Sequence, residues 1–261
     1  MSKYVISSSP HLRDNVSTTS IMRDVCIALL PAAVAGVLFF GYRSAIILAL
    51  SVAAAVLSEW LYCKAAHCRN TIGDFSAVVT GMLLAMNLPV SIPLWQAVFG
   101  ALVAIVAVKG LFGGIGKNFA NPAITARIVM FLAFSKTMTA WVFPDAVSSA
   151  TPLAMMANGE SVDYLTLLLG NHGGCLGETS ALALLIGFAY LLIRGVISWH
   201  TPVCFVGTVF VMSLILGQDA VGQILSGGLM LGAIFMATDY STTPSTNLGR
   251  VLFGIGAGLL T

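Results

Sequence analysis

The run Ser148-Ser149-Ala150-Thr151-Pro152-Leu153-Ala154 sets one threonine hydroxyl among small side chains, in a polar stretch of a chain that is otherwise almost entirely apolar. Such a hydroxyl is sterically open to covalent modification, but unaided it is a poor nucleophile and needs a catalyst to activate it. The same residues also suit an ordinary Ser/Thr turn ahead of Pro152. No hydrolytic site assembles, because His11, His67, His172 and His200 fall in unrelated stretches and no Ser or Cys neighbour has the partners of a triad. Cys63, His67 and Cys68 form a Cys-x3-His-Cys cluster, three ligands where a tetrahedral metal site usually takes four; the other reading is a set of residues at a helix end. The 5 cysteines have no repeated spacing and give no disulfide framework. Neither a catalytic residue nor a metal ligand is assigned.

The elements that must position Thr151 follow from composition. Hydrophobic residues make up 58% of the 261-residue chain and charged residues 8%, with a mean hydropathy of +0.95; soluble domains carry about 25% charged residues. The expected fold is all-α, a polytopic membrane helical bundle, since spanning about 30 Å of hydrocarbon takes about 20 helical residues and lipid leaves no backbone group unpaired. Spans are expected near Val25–Gly41, Ala45–Tyr62, Phe75–Leu88, Leu94–Val108, Ile128–Phe143, Thr179–Ile193, Pro202–Leu216 and Ala220–Ala237. A ninth starts near Val251 and stops short of full length. Lys136 falls inside the fifth span, which implies that this span begins nearer Pro122 and ends before the lysine. Residues 1–24 read as a cytoplasmic segment without a cleavable signal, and residues 25–261 as the transmembrane domain.

Basic residues stay on the cytoplasmic side. With the N-terminus inside, that side holds Lys3, Arg13, Arg23, Lys64, Arg69, Lys109, Lys117, Arg127, Arg194 and Arg250, and the other holds Arg43 and Lys136. The loop 144–178 then faces outward, in keeping with its acidic Asp145, Glu160, Asp163 and Glu178. The basic residues form no stripe, which excludes nucleic acid as a partner.

Gly73-Asp74-Phe75-Ser76-Ala77 and Gly177-Glu178-Thr179-Ser180-Ala181 open the third and sixth spans, and Asn121-Pro122 leads to Arg127 as Thr243-Pro244 leads to Arg250. An odd number of spans between the opening pair implies an inverted repeat, in which broken helices of two halves meet near the midplane. Two polar interruptions stand out. Gly110 to Pro122 reads as a broken segment lining a cavity, and lacks the glycine and hydroxyl positions of a phosphate-binding P-loop. The hydroxyls of Thr238 to Pro244 either bind a polar ring or satisfy a frayed helix end. Glu59, Asp74, Lys109, Lys136, Glu178 and Asp239 sit at span ends, where solvation or helix capping costs little; Asp74 and Glu178 are the best candidates for an ion route.

Ser9-Pro10-His11, Ile21-Met22-Arg23-Asp24-Val25, Ser76-Ala77-Val78-Val79-Thr80-Gly81 with Asn87-Leu88-Pro89, the stretch Lys109 to Pro122, Ser148 to Ala154 and Phe235-Met236-Ala237-Thr238-Asp239 together resemble the RnfD family, the D component of Rnf electron-transport complexes. That family is similar to the B component of the sodium-pumping NADH:quinone reductase. The resemblance covers essentially the whole chain. It implies an inverted-repeat, urea-channel-like fold in the cell inner (cytoplasmic) membrane, and covalent flavin mononucleotide (FMN) on Thr151 through a phosphoester on the outer face. It also allows riboflavin as a second, non-covalent cofactor. A flavin transferase and the other components of the Rnf complex (A, B, C, E and G) are the implied partners, and the activity is relay of electrons between ferredoxin and NAD+ coupled to sodium or proton translocation. The competing readings are a channel or facilitator for a small neutral solute, suggested by the repeat and the few buried charges, and an assembly scaffold without cofactor.

Overall fold

A computed structural model describes residues 17–68, 71–141, 151–159, 162–170, 172–178 and 180–261. Among the described residues the regular structure is helical. Helix α1 (Thr18–Phe40) starts earlier than the apolar run because Ser17 and Ser20 form a reciprocal capping box. Gly41, with φ +74°, ends α1 and starts α2 (Tyr42–Ala65), so the two are joined by one residue whose backbone favours glycine. These two helices are long and apolar enough to cross a membrane, and the remaining apolar helices run from 10 to 17 residues.

The short ones are where the architecture departs from uninterrupted spans. Helix α3 (Ser76–Met86) is 11 residues long and gives way to a succession of turns over 87–92. Helix α4 (Leu94–Leu102) continues as a π-helix over Val103–Gly110. Helix α5 (Pro122–Ala133) starts at Pro122, with Asn121 capping it, and stops before Lys136, which lies in the short α6 (Ser135–Met138). The loop that follows carries α7 (Pro152–Ala157) and α8 (Tyr164–Leu169). After α9 (Ala181–Ile193) and α10 (His200–Ile215), the expected eighth span is split. Helix α11 (Ala220–Leu225) ends at Ser226-Gly227-Gly228, and the chain resumes as α12 (Leu229–Leu231) with a π-helical continuation over Gly232–Met236. Helix α13 (Asn247–Leu260) is capped by Thr246.

Helix α1 lies along α9, α2 packs on α3 and α4, and α10 packs on α13. Small residues permit these approaches. A Cβ on Gly81 would come 2.8 Å from Cα of Val52, one on Gly254 2.8 Å from the Thr201 carbonyl, and one on Gly187 would overlap the Ala28 carbonyl. In lipid, where water exclusion gives helices no reason to associate, such close backbone contact is a main source of cohesion.

Hydrogen bonds sort the loops into two ends. At one end Arg43 donates to the carbonyls of Ser91 and Ile92 (both 3.2 Å), and Ser91 donates to that of Ala140 (2.6 Å). At the other, Arg194 pairs with Asp24 at 3.0 Å, Tyr62 donates to the Gly110 carbonyl and Tyr240 to that of Val196. The second end holds Lys109 and Arg194, as the alternation of basic residues requires. Helix α3 starts at this basic end and α9 finishes there, so the stretches 73–77 and 177–181 open helices of opposite direction, as an inverted repeat demands. The second sequence echo does not belong to that relation, because both polar loops, 111–121 and 237–246, lie at the basic end.

The α1–α9 contact gives a direct test. Gly187→Val should drive a side chain into the Ala28 carbonyl and destabilise the bundle by about 1–3 kcal/mol, read as a lowered unfolding midpoint in detergent. Gly207→Ala on α10, where a Cβ meets nothing within 4 Å, should leave that midpoint unchanged.

Candidate functional site

Thr151 is the N-cap of α7. Its Oγ1 accepts a long hydrogen bond, 3.4 Å, from the Ala154 amide, and the residue is half-buried. Ser148, Ser149 and Ala150 lie outside the described residues. Helix α7 is docked rather than free: a Cβ on Gly222 would sit 2.5 Å from the Met156 sulfur, and one on Gly227 2.9 Å from Leu153 Cδ1. Thr151 is therefore held beside the break at 226–228, toward the end opposite Lys109 and Arg194. Asp219 caps α11 and accepts a hydrogen bond from the Tyr164 hydroxyl at 3.0 Å, which ties α8 to the same corner and raises the tyrosine pKa.

Behind α7, two broken elements cross. The turns after α3 meet the stretch before α9: Leu176 N–H donates to the Leu88 carbonyl (3.2 Å) and Gly177 N–H to that of Met86 (2.8 Å), with Pro89 opposite Cys175. Arg127, from α5, fastens the crossing. Its Nη1 donates to Asn87 Oδ1 at 2.8 Å, and its Nη2 lies 3.5 Å from Glu178 Oε1 and 3.6 Å from Cys175 Sγ. Glu178 Oε2 accepts the Cys175 amide (3.2 Å), and Asn87 Nδ2 donates to the Leu83 carbonyl (2.7 Å). Gly228 leaves space for this pair, since a Cβ there would be 3.0 Å from Glu178 Oε1 and 3.5 Å from Arg127 Nη1. Thus Glu178, expected to favour the start of a helix, turns to Arg127, while Ser180 caps α9 by accepting the Ala183 amide.

A second buried network stands at the basic end. Lys109 Nζ lies 2.8 Å from Glu59 Oε1 and donates to Ser76 Oγ at 2.5 Å; Thr71 donates to the same Glu59 oxygen, and Ser76 to Asp74. Glu59 and Lys109 are each 4% exposed, so these charges are not solvated at a span end as their positions suggested. Asp74 accepts the amide of Ser76, the first residue of α3, at 2.8 Å, while the N-cap position itself is Phe75. The Gly110–Pro122 segment is a loop at the basic end, turned by Gly113, Gly114 and Gly116 at positive φ, and Ile115, Asn118 and Asn121 line the cavity there with Thr238 and Asp239. In the second interruption most hydroxyls serve the helix end: Thr238 donates to the Ile234 carbonyl (2.6 Å), Thr243 to that of Ala237 (2.7 Å) and Ser241 to Asp239 (2.8 Å). Cys63, His67 and Cys68 finish α2, with the Cys68 amide donating to the Cys63 carbonyl.

Sequence reasoning passed over Asn87, Arg127 and Cys175 as a group. The available signals were an arginine inside an apolar run and an Asn-Leu-Pro stretch that no helix can continue through.

Buried ion pairs between interrupted helices define a polytopic helical membrane protein of the kind whose polar groups sit in the bundle interior. The chain belongs to the NQR2, RnfD, RnfE family, whose model matches residues 5–261. It is 46% identical to the D component of the Na(+)-translocating ferredoxin:NAD(+) oxidoreductase complex of Acetobacterium woodii, over 98% of this chain and 83% of the relative. Identity to the D component of the proton-translocating ferredoxin:NAD(+) oxidoreductase complex of Clostridium ljungdahlii is 38%, over 99% and 85% of the two chains. The D component of an ion-translocating oxidoreductase complex from Halorhodospira halophila is 34% identical over 97% and 84%.

The Glu59–Lys109 pair makes a prediction of its own. Lys109→Met leaves a buried carboxylate without its cation and should cost about 3–5 kcal/mol, whereas Lys109→Met combined with Glu59→Met should recover most of the loss. Thermal unfolding of the three proteins in detergent checks it.

Proposed function

We propose that this chain is a membrane electron-relay subunit of an ion-translocating ferredoxin:NAD+ oxidoreductase complex, carrying FMN as a phosphoester on Thr151. The observation that carries the reading is the place of Thr151 within a chain of this family: among the described residues its hydroxyl accepts one long amide contact, at the start of a short helix docked against the 226–228 break through Leu153. The residues fit the group. A phosphoester at Oγ1 displaces that long amide contact, and the residue is half-exposed. When bound, FMN would supply one- and two-electron chemistry that no side chain of this chain possesses.

The chain's own part is positional. Docking of α7 on α11 fixes where the hydroxyl stands, and the Leu153–Gly227 contact keeps it against the bundle. A flavin transferase is needed because threonine does not attack unaided. The relatives' names place them in multi-subunit complexes, so the other Rnf components (A, B, C, E and G) are expected to complete the route. Kinship with this family implies the inner membrane, and the distribution of basic residues supports a cytoplasmic N-terminus with Thr151 outside. Relatives are named for both sodium and proton translocation, so kinship leaves either ion as the coupling species. Riboflavin, if present, would be a second, non-covalent flavin.

Relay is preferred to solute conduction for a structural reason. The cavity at the basic end and the one lined by Leu153 share no lining residue among the described residues.

Thr151→Ala should abolish covalent flavin while leaving membrane insertion intact. The check is ultraviolet fluorescence of the denatured protein on a gel, followed by mass analysis of the Thr151 peptide. An alanine variant that stays fluorescent contradicts the attachment.

A further inference from the structure

The turn from α9 into α10, the polar loop 238–245 and the first turn of α13 enclose a cavity of about 300 Å³ at the basic end, room for on the order of ten water molecules. Several hydroxyls on its wall are already spent: those of Thr238 and Thr243 donate to helix-end carbonyls, and that of Tyr240 donates to the Val196 carbonyl. Thr201 is different. It lines the cavity at 1% exposure, yet among the described residues its hydroxyl has no hydrogen-bond partner, not even the carbonyl four residues back that Thr208 uses on the same helix. A buried hydroxyl left without a partner is costly, so an acceptor from outside the chain is called for. Arg250 lines the same space. Its Nε donates to the Pro244 carbonyl at 3.2 Å, and among the described residues no salt bridge includes it. Arg250 is the fourth residue of α13, where the helix dipole disfavours a cation. Helix α10 also begins at this wall, without a side-chain cap. Asp239, the acidic residue of the loop, lines the adjoining cavity and accepts the Ser241 amide and hydroxyl. Two helix starts and a guanidinium thus converge on a space with no negative charge on its described walls.

We propose that this cavity binds a phosphate group, carried either by an anionic lipid headgroup or by a soluble phosphate compound. A guanidinium fork pairs with two phosphate oxygens at once, and the start of a helix offers free amides to an anion. The remaining oxygens accept from the Thr201 and Ser198 hydroxyls, which stand on the same wall. Trp199, at the start of α10, stacks on His200 with ring centroids 4.2 Å apart and is 55% exposed. An aromatic in that position marks the membrane–water boundary, which sets the cavity at the depth of lipid headgroups. The inference does not depend on a flavin at Thr151, which lies toward the opposite end of the bundle.

The test uses the full chain purified with its complex from native membranes and reconstituted in vesicles of digalactosyldiacylglycerol, a lipid without phosphate, doped with phosphatidylglycerol bearing a photoactivatable headgroup. Label should fall on peptides within 195–201 and 238–250, the walls of the cavity. Arg250→Gln should lower that labelling about tenfold and Thr201→Val about threefold. Lys64→Gln, which removes an exposed cation at the end of α2, should leave it at the parental level. Equilibrium dialysis of the same proteins in detergent against radiolabelled inorganic phosphate reads a soluble source. Thr201→Val keeps the shape of the side chain and removes an unpaired hydroxyl, so its unfolding midpoint should not fall, and it decides the matter even where Arg250→Gln does not fold. Headgroup labelling that depends on Arg250 and Thr201 assigns the lipid; phosphate retention that depends on them assigns a soluble compound. Absence of both signals, signals unchanged in Arg250→Gln and Thr201→Val, or an equal loss in Lys64→Gln overturns the proposal.

Discussion

The bilayer demands that every backbone N–H and C=O be paired inside the protein, and this chain breaks its helices in spite of it. The cost is met where the two breaks cross. Leu176 and Gly177 donate to carbonyls freed at the end of α3, Cys175 Sγ donates to the Asn87 carbonyl at 3.3 Å, and Glu178 takes the Cys175 amide. Around this crossing α3, α5, α9 and the 226–228 break are held in one arrangement. Without it the interior could not admit polar groups, and Thr151 would have nothing to dock beside.

Charge follows from the same geometry. An arginine facing lipid is expensive, but Arg127 faces the crossing, where an amide oxygen, a carboxylate and a sulfur engage it. Removing one partner of such a cluster leaves the other charge buried, which is why clusters of this kind resist piecemeal change. The Glu59–Lys109 network repeats the solution at the basic end, with Thr71 joining Lys109 on Glu59 Oε1 and Ser76 linking Lys109 to Asp74. The bundle therefore carries two polar centres, the Glu59–Lys109 network at the basic end and the Arg127 cluster where the two breaks cross.

Much of the fold was legible in the sequence because the bilayer makes periodicity unnecessary: apolar runs of sufficient length mark helices, and basic residues sort the loops. The start of α5 at Pro122 was readable from Lys136, a charge that the span had to exclude. The third and eighth spans were harder. Hydropathy continues through Asn87-Leu88-Pro89 and through Ser226-Gly227-Gly228, so an average over a window passes smoothly across both breaks. The resemblance of Gly73–Ala77 to Gly177–Ala181 carried real topological information, whereas the Thr243-Pro244 echo marked a second polar loop at the same end. Thr151 was singled out by its small neighbours and by family likeness. The residues its helix docks against, Gly222 and Gly227, come from a distant segment that no local pattern connects to it, and the burial of Glu59 depends on α2 and α4 lying side by side.

The central claim is that Thr151 carries a covalent flavin. The most direct measurement is an electron cryo-microscopy map of the whole complex purified from native membranes, at a resolution that separates side chains. The account predicts continuous density from Thr151 Oγ1 through a phosphate to a planar ring. A bare threonine hydroxyl in a fully assembled, redox-active complex would contradict it.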